Sequence, residues 1–112
     1  MSDIFDRDWD DVTVTLVYRD GNKVTTRDIR VSREEEQQEI RNNILQNTGE
    51  ESNFELTPDA FKAKIMNSAG KLVSEPIYPP PAPGSNETRI LPPWNVIEVK
   101  IRVNNLAQIH LA

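Results

Sequence analysis

The strongest structural signal in the chain lies in residues 12–31, which read VTVTLVYRDGNKVTTRDIRV. In the first half of this stretch apolar and polar side chains alternate, as in a strand with one buried face. Asp20-Gly21 follows, and such a dipeptide supplies the positive φ angles of a tight turn. The chain is therefore predicted to form a hairpin, with a return strand from about Lys23 to Val31. The side chains predicted to face the core are Val12, Val14, Leu16 and Tyr18.

A second alternating stretch, Val96 to Val103, predicts the last strand near the other end of the chain. We expect it to lie beside the first strand in a single sheet. Its inward set is Ile97, Val99, Ile101 and Val103, and its outward set is Glu98, Lys100 and Arg102.

Between these strands, Ser32 is predicted to cap a helix that runs to about Gln46 and stops at Gly49. Glu35 stands three residues after the cap, and acidic residues in the first turn suit the positive end of a helix. The apolar set of this helix is small, so we expect it to depend on docking against the sheet.

Residues 54–78 fit two structures. In the helical interpretation, Thr57 is the N-cap, Pro58 opens the first turn and Gly70 is the C-cap, and one stripe holds Phe61, Ile65 and Ala69. In the other, Phe61, Ala63 and Ile65 alternate with lysines and residues 67–70 turn into a second strand. Alternation that ends at a glycine-containing loop favours the hairpin. Leu72 to Tyr78 is expected to be extended in both interpretations.

Prolines concentrate in residues 79–93 and predict a long loop with polyproline II character before the last strand. The predicted fold is thus α+β, a mixed sheet of about four to five strands packed on one main helix. Three regions are expected: an acidic N-terminal arm (1–11), a single α+β domain (12–104) and a C-terminal tail (105–112).

This order of elements resembles the β-grasp superfold of ubiquitin-like proteins. The segment from Ile65 to Leu72 stands where such folds carry their second strand pair. Two features depart from the resemblance: the proline-rich loop is longer, and the C-terminus, Gln108 to Ala112, lacks the terminal Gly-Gly of conjugated members. The resemblance therefore implies a non-conjugating interaction module.

Composition and net charge limit the partners and the cellular location that are expected. The chain has 112 residues, no cysteine and a net charge of −5. Without a basic stripe, nucleic acid is not an expected partner. No apolar run approaches the roughly 20 residues that span a bilayer, and the acidic N-terminus does not suit a signal peptide. We therefore expect a cytoplasmic protein that does not bind membranes.

No residue set predicts catalysis, a cofactor or a metal. The run Asp6, Asp8, Asp10 resembles the start of a calcium loop, but Asp11 and Val17 stand where that loop needs glycine and glutamate. The only histidine, His110, lies close to the end of the sequence, where an orienting partner is not expected. The chain is predicted not to be an enzyme.

Several residues are candidates for partner binding. Phe5 and Trp9, four apart in the acidic arm, would share one face of a helix, or would pack on the protein's own sheet, which is the favoured interpretation. Pro80 and Pro83 have the PxxP spacing of polyproline ligands, with Tyr78 beside them, although a rigid structural loop is favoured there. Trp94 either anchors this loop or is an exposed hot-spot residue.

The outward face of the sheet is predicted to be mildly basic and to be the main docking surface. It is expected to carry Arg19, Thr25, Arg27, Lys100 and Arg102. These observations favour a small module that binds another protein. The alternative is a structural component of a larger assembly such as a virion. Since the surface carries both signs of charge, it could also drive self-association as a homodimer.

Overall fold

A computed structural model describes residues 9–104. Most of the predicted arm and the whole of the predicted tail lie outside this range. So do the residues Phe5, Asp6, Asp8 and His110. The elements are β1 (Asp11–Asp20), β2 (Lys23–Ser32), α1 (Arg33–Thr48), α2 (Pro58–Leu72), a short 3₁₀ turn (Pro93–Asn95) and β3 (Val96–Val103).

The strands form one antiparallel sheet in the order β2-β1-β3. The hairpin between β1 and β2 is confirmed, with a turn at Gly21-Asn22 in which Gly21 has a φ of 63°. The predicted neighbourhood of the first and last strands is also confirmed, since Val12 pairs with Val103.

The α+β class is confirmed, but three details of the predicted fold are wrong. The described sheet has three strands where about four to five were expected, and both pairings are antiparallel where a mixed sheet was expected. Two helices stand in place of one main helix. The numbers of strands and helices differ because residues 58–72, for which a second hairpin was the favoured interpretation, form α2.

The start of α2 explains why this segment is helical. Thr57 is the N-cap, because its side-chain oxygen accepts a hydrogen bond from the backbone N–H of Ala60 at 3.2 Å. Pro58 occupies the first turn, where its missing N–H has no cost. The stripe of Phe61, Ile65 and Ala69, spaced four apart, is buried. The favoured hairpin interpretation is therefore wrong and the helical interpretation is confirmed, except that Gly70 is not the C-cap, since the helix continues to Leu72.

The core lies between α2 and the inner face of the sheet. All four predicted inward residues of β1 are buried, with exposures of 0–4 %. Phe61 is fully buried among them, and Trp9 and Leu56 complete the cluster. A smaller cluster joins Leu16 and Tyr18 of β1 to Ile77.

The helical state of Gly70 leads to a prediction. Gly70 has no positive φ, and a Cβ placed there meets no atom within 4 Å. Because glycine is unfavourable inside a helix, we expect Gly70→Ala to raise the free energy of unfolding by about 1 kcal/mol in urea denaturation. The control is Gly49→Ala, which should lower it by about 1 kcal/mol, since Gly49 has a φ of 76°. A loss of stability in Gly70→Ala would contradict a helical Gly70.

α1 is held to the body mainly by polar contacts. As predicted, Ser32 caps its start by accepting from the N–H of Glu35, and Gly49 ends it in the left-handed conformation. None of its side chains is fully buried. Instead, Arg41 donates to the Phe54 carbonyl at 2.7 Å, and the Gln37 side chain accepts from the N–H of Leu56 at 2.9 Å. The helix thus lies against segment 54–56, and its apolar residues Ile40 and Ile44 are only partly buried.

β3 differs from the predicted alternation at one residue. Val99, Ile101 and Val103 pack against the core as expected, but Ile97 is 51 % exposed. The register shifts by one residue at this point, since Val17 pairs with Glu98 while Tyr18 pairs with Val96. This β-bulge turns Val96 to the core in place of Ile97, so the inward assignment of Ile97 was wrong.

Residues 72–92 form the proline-rich loop and its entry. Leu72 is helical and residues 73–75 turn, so the expectation that 72–78 is extended was wrong for its first half. Ile77 and Leu91 form a single antiparallel bridge that closes the loop. Arg89 also fixes it, donating to Asp20 at 3.1 Å and to the Pro80 carbonyl at 2.9 Å. In residues 9–104, no helix combines the length and the apolar character needed to cross a membrane.

Candidate binding groove

The inner face of β2 is covered less completely than that of β1. Thr25, Arg27, Ile29 and Val31 lie on this face, because each pairs with a buried residue of β1. Ile29 and Val31 are nevertheless only partly buried, and Arg27 is exposed. The buried stripe of α2 packs in one cluster with residues of β1 and β3, and a depression remains beside it under β2.

This depression is a continuous groove built from adjoining cavities. One of about 280 Å³ and one of about 170 Å³ share Ile29 and Leu72. A third, of about 290 Å³, shares Arg27 and Tyr78 with the first and continues toward the hairpin turn. We call it the β2 groove and define it by its apolar floor, Leu16, Ile29, Val31, Ile65, Leu72 and Ile77.

Charged groups of both signs lie along the rim of the β2 groove. At one end, Lys64 of α2 and Glu36 of α1 form an ion pair with a distance of 2.6 Å between Nζ and Oε2. Nearer the hairpin turn, Arg27 and Glu75 both line the cavity of about 280 Å³. An apolar floor with few polar groups at its margins is the usual composition of a binding site.

The edge of β2 beside the groove is open. In the described part of the chain, β2 pairs with β1 alone, and its other edge meets no strand. The strand is ten residues long and contains no proline, and its pairing with β1 is continuous. Natural edge strands are usually shortened, bulged or blocked by proline, because a free edge exposes unpaired N–H and C=O groups. β2 has none of these three protections, and its other protection is a set of charged side chains, Lys23, Arg27, Asp28 and Arg30. Its edge is therefore available to a strand whose charges complement these residues.

Three residues predicted for partner binding lie in this groove: Arg27, Tyr78 and Pro80. The predicted face was wrong for Arg27 and for Thr25, which were expected on the outward side of the sheet. The turn holds two residues, so odd-numbered residues of β2 oppose even-numbered residues of β1, and Arg27 faces Leu16. Tyr78 is 55 % exposed and forms part of the wall near the turn.

The other predicted basic residues, Arg19, Lys100 and Arg102, lie on the opposite face. Lys100 pairs with Thr15, and Arg102 with Thr13, so both side chains are on the outer side of the sheet. Acidic groups share this face, since Glu98 lies 4.0 Å from Lys100. The outer face is therefore mixed in sign, and it does not continue into the β2 groove.

The remaining candidate residues are separate from both faces. Trp9 is 3 % exposed and packs in the core, with the Lys62 ammonium 5.2 Å from its ring centroid, so its ring offers little surface to a partner. Trp94 is 82 % exposed in the 3₁₀ turn, and the loop is anchored by Ile77 and Arg89 instead. Pro83 is exposed beside Gly84 in a turn closed by a hydrogen bond from the Ser85 N–H to the Ala82 carbonyl.

A polar cluster secures the end of the outer face where β1 begins. Arg30 donates from Nε and Nη2 to the Asp11 carboxylate, at 3.0 Å and 2.5 Å. Asn104 donates to Asp11 and to Thr13. The Arg30 hydrogen bond, aided by Asn104, lowers the pKa of Asp11 below its ordinary value of 3.8. This cluster ties β1, β2 and the end of β3 together.

No sequence pattern indicated three of the residues of this site, Ile29, Leu72 and Ile77. They form the middle of the groove floor. The length of the turn would have indicated Ile29, because it sets which residues of β2 share the core side. Among residues 9–104, no three histidine, cysteine, aspartate or glutamate side chains are grouped as a metal site. Comparison of the chain with models of protein families, with curated proteins and with solved structures found no match.

Proposed function

We propose that the chain is a non-catalytic protein-interaction module that binds an extended segment of a partner by strand addition to β2. The observation that carries this proposal is the open ten-residue edge of β2 directly above an apolar groove. In strand addition, main-chain hydrogen bonds along the edge supply affinity, and alternate side chains enter pockets on one face. The β2 groove lies where the inward side chains of an added strand would point.

The chemistry of the groove defines the segment that fits it. Ile29 and Leu72 favour apolar side chains at every second position of the segment. Arg27 and Glu75 favour polar or charged residues at the end near the hairpin turn. The expected partner segment is therefore an extended stretch with period-two apolar residues and no proline within it.

The proposal includes a ubiquitin-like, non-conjugating module. A hairpin followed by a helix, with the last strand beside the first, is compatible with a β-grasp-like arrangement. The antiparallel pairing of β1 with β3 departs from the mixed sheet of that superfold. The interaction function does not depend on this relationship, because it rests on the β2 edge.

Selection from a displayed library of random peptides of about ten residues tests the proposal, with the full chain held at about 1 μM. We expect selected peptides to alternate apolar residues and to shift the backbone amide resonances of β2. Ile29→Glu should weaken their binding at least about tenfold, because it places a charge in the apolar floor. The matched control is Ile97→Glu, at the exposed bulge of β3, which should bind as the wild type does.

Circular dichroism of both variants verifies that they are folded. Failure to select any peptide would count against the binding of extended partner segments. So would selected peptides that lose binding to Ile97→Glu and retain it to Ile29→Glu, since they would occupy β3 or the outer face.

A further inference from the structure

The charges on β2 point to one particular partner for its open edge. Asp28 and Arg30 lie on the outer face, and Ile29 between them faces the β2 groove. When two copies of one strand pair antiparallel about a two-fold axis through a residue, each position before that residue opposes the equivalent position after it. An axis through Ile29 therefore places Asp28 of each copy opposite Arg30 of the other. Unlike charges directly opposite each other stabilise a strand pair.

The neighbouring registers lack this complementarity. An axis through Arg27, Asp28 or Arg30 places that charged side chain opposite its own copy, and like charges in this position destabilise the pair. With the axis through Ile29, the remaining opposed residues are compatible: Ile29 with Ile29, Arg27 with Val31, and Thr26 with Ser32. Charge thus selects a single register among those centred on residues 27–30.

Both charged groups can make the new contact without losing their present bonds. The Arg30 side chain is 72 % exposed and binds Asp11 through Nε and Nη2, whereas a guanidinium carries two more N–H donors on Nη1. Asp28 accepts from the Thr15 hydroxyl through Oδ1 at 2.7 Å, and its second oxygen can accept from Arg30 of the other copy.

The same register brings apolar surfaces together. Ile29 is part of the floor in two of the cavities that form the β2 groove, and it is only partly buried. Pairing about Ile29 places the two copies of this side chain next to each other on the core side of the sheet. The grooves of the two copies then meet at the axis, so that each isoleucine covers the other.

We propose that the segment added to β2 is β2 of a second copy of this chain, paired antiparallel about Ile29. This inference rests on the proposed function, because it uses the same edge and groove and names the occupant. The sheets of the two copies become one continuous antiparallel sheet. Asp28 and Arg30 of opposite copies meet on its outer face, and the isoleucines meet on its inner face.

Among residues 9–104, the outer edge of β3 also meets no strand. It is the competing site for self-pairing, because Glu98 and Lys100 flank Val99 in the same way. Two features favour β2. β3 has a bulge at Ile97, which interrupts the regular edge, and its inward residues Val99, Ile101 and Val103 already pack against the core. Variants of β3 therefore serve as the matched control.

Sedimentation equilibrium of the full chain up to about 1 mM, the weak end of specific association, tests the inference. We expect the wild type to dimerise. Asp28→Arg places arginines opposite each other at both positions where residue 28 of one copy faces residue 30 of the other. Arg30→Asp places aspartates opposite each other at the same two positions. Each variant alone should dimerise at least about tenfold more weakly than the wild type. An equimolar mixture of the two should recover the dimer, because all opposed charges are then unlike.

The control pair is Glu98→Lys and Lys100→Glu in β3, and each should dimerise as the wild type does. Recovery in the mixture also shows that both β2 variants are folded, and circular dichroism of each variant alone verifies this independently. A wild type that stays monomeric would overturn the inference. So would β2 variants that dimerise normally, folded β2 variants that fail to recover in the mixture, or loss of the dimer in the β3 variants.

The two proposals can fail separately. If the chain is monomeric and binds peptides through Ile29, strand addition is supported and the second copy is rejected as the partner. If the chain dimerises with the charge dependence expected for β2 but binds no displayed peptide, the second copy is supported as the partner. The binding of other extended segments is then rejected.

Discussion

Replacing Phe61 with alanine is expected to lower the free energy of unfolding by about 3–5 kcal/mol in urea denaturation. Phe61 is fully buried in the core cluster between α2 and the inner face of the sheet. Truncation removes the apolar area of the ring and leaves a cavity, because the sheet and the helix around it relax only partly. A loss of this size is a large share of the stability of a small domain.

Met66→Ala is the control for Phe61→Ala, since Met66 lies on the same helix and is 52 % exposed. It should change the free energy of unfolding by no more than about 0.5 kcal/mol. If the two variants had similar effects, α2 would not pack on the sheet through the stripe of Phe61, Ile65 and Ala69.

The second large effect is expected for Trp9→Ala, which should also lower the free energy of unfolding by about 3–5 kcal/mol. Trp9 is 3 % exposed, packs in the cluster of Val12 and Phe61, and carries the Lys62 ammonium over its ring. Its position just before β1 thus contributes to the core, even though the sequence around it is acidic.

Trp94→Ala is the matched control, because Trp94 is 82 % exposed and its truncation should change stability by no more than about 0.5 kcal/mol. Thermal or urea unfolding of both variants supplies the comparison. A Trp9→Ala variant as stable as the wild type would contradict the buried position of this ring and would restore it as a candidate for partner binding.

The hairpin and the last strand were predictable because their signals are local and repeated. Val12, Val14, Leu16 and Tyr18 alternate with mostly polar residues, and the turn at Gly21-Asn22 directly after Asp20 fixes the return. The cap of α1 at Ser32 was predictable for the same reason, since it depends on residues within one turn.

The helical interpretation of α2 was not the favoured one, because Phe61 and Ile65 fit both periodicities. Residues four apart share a face of a helix and also share a face of a strand, so this pair does not discriminate. The alternating lysines Lys62 and Lys64 then favoured a strand. Ala69 and the Thr57-Pro58 start were the discriminating signals, because they extend the helical stripe and cap it.

The β2 groove could be predicted only in part, because it depends on how separate elements meet. Arg27, Tyr78 and Pro80 were candidates from residue type alone. The face of Arg27 depends on the two-residue turn, which places it opposite Leu16. The bulge at Ile97 depends on pairing with β1, which no pattern within β3 indicates. The groove itself exists because α2 packs over β1 and β3 and leaves the inner face of β2 partly uncovered.

The central position of β1 also bears on how the protein folds. β1 meets β2 across a two-residue turn, whereas its pairing with β3 joins Val12 to Val103, and Asn104 donates to the Asp11 carbonyl at 2.7 Å. The first contact closes a very short loop, and the second closes almost the whole described chain, which carries a larger entropic cost. The hairpin can therefore form early, while completion of the sheet must await the end of the chain, and this contact order slows folding.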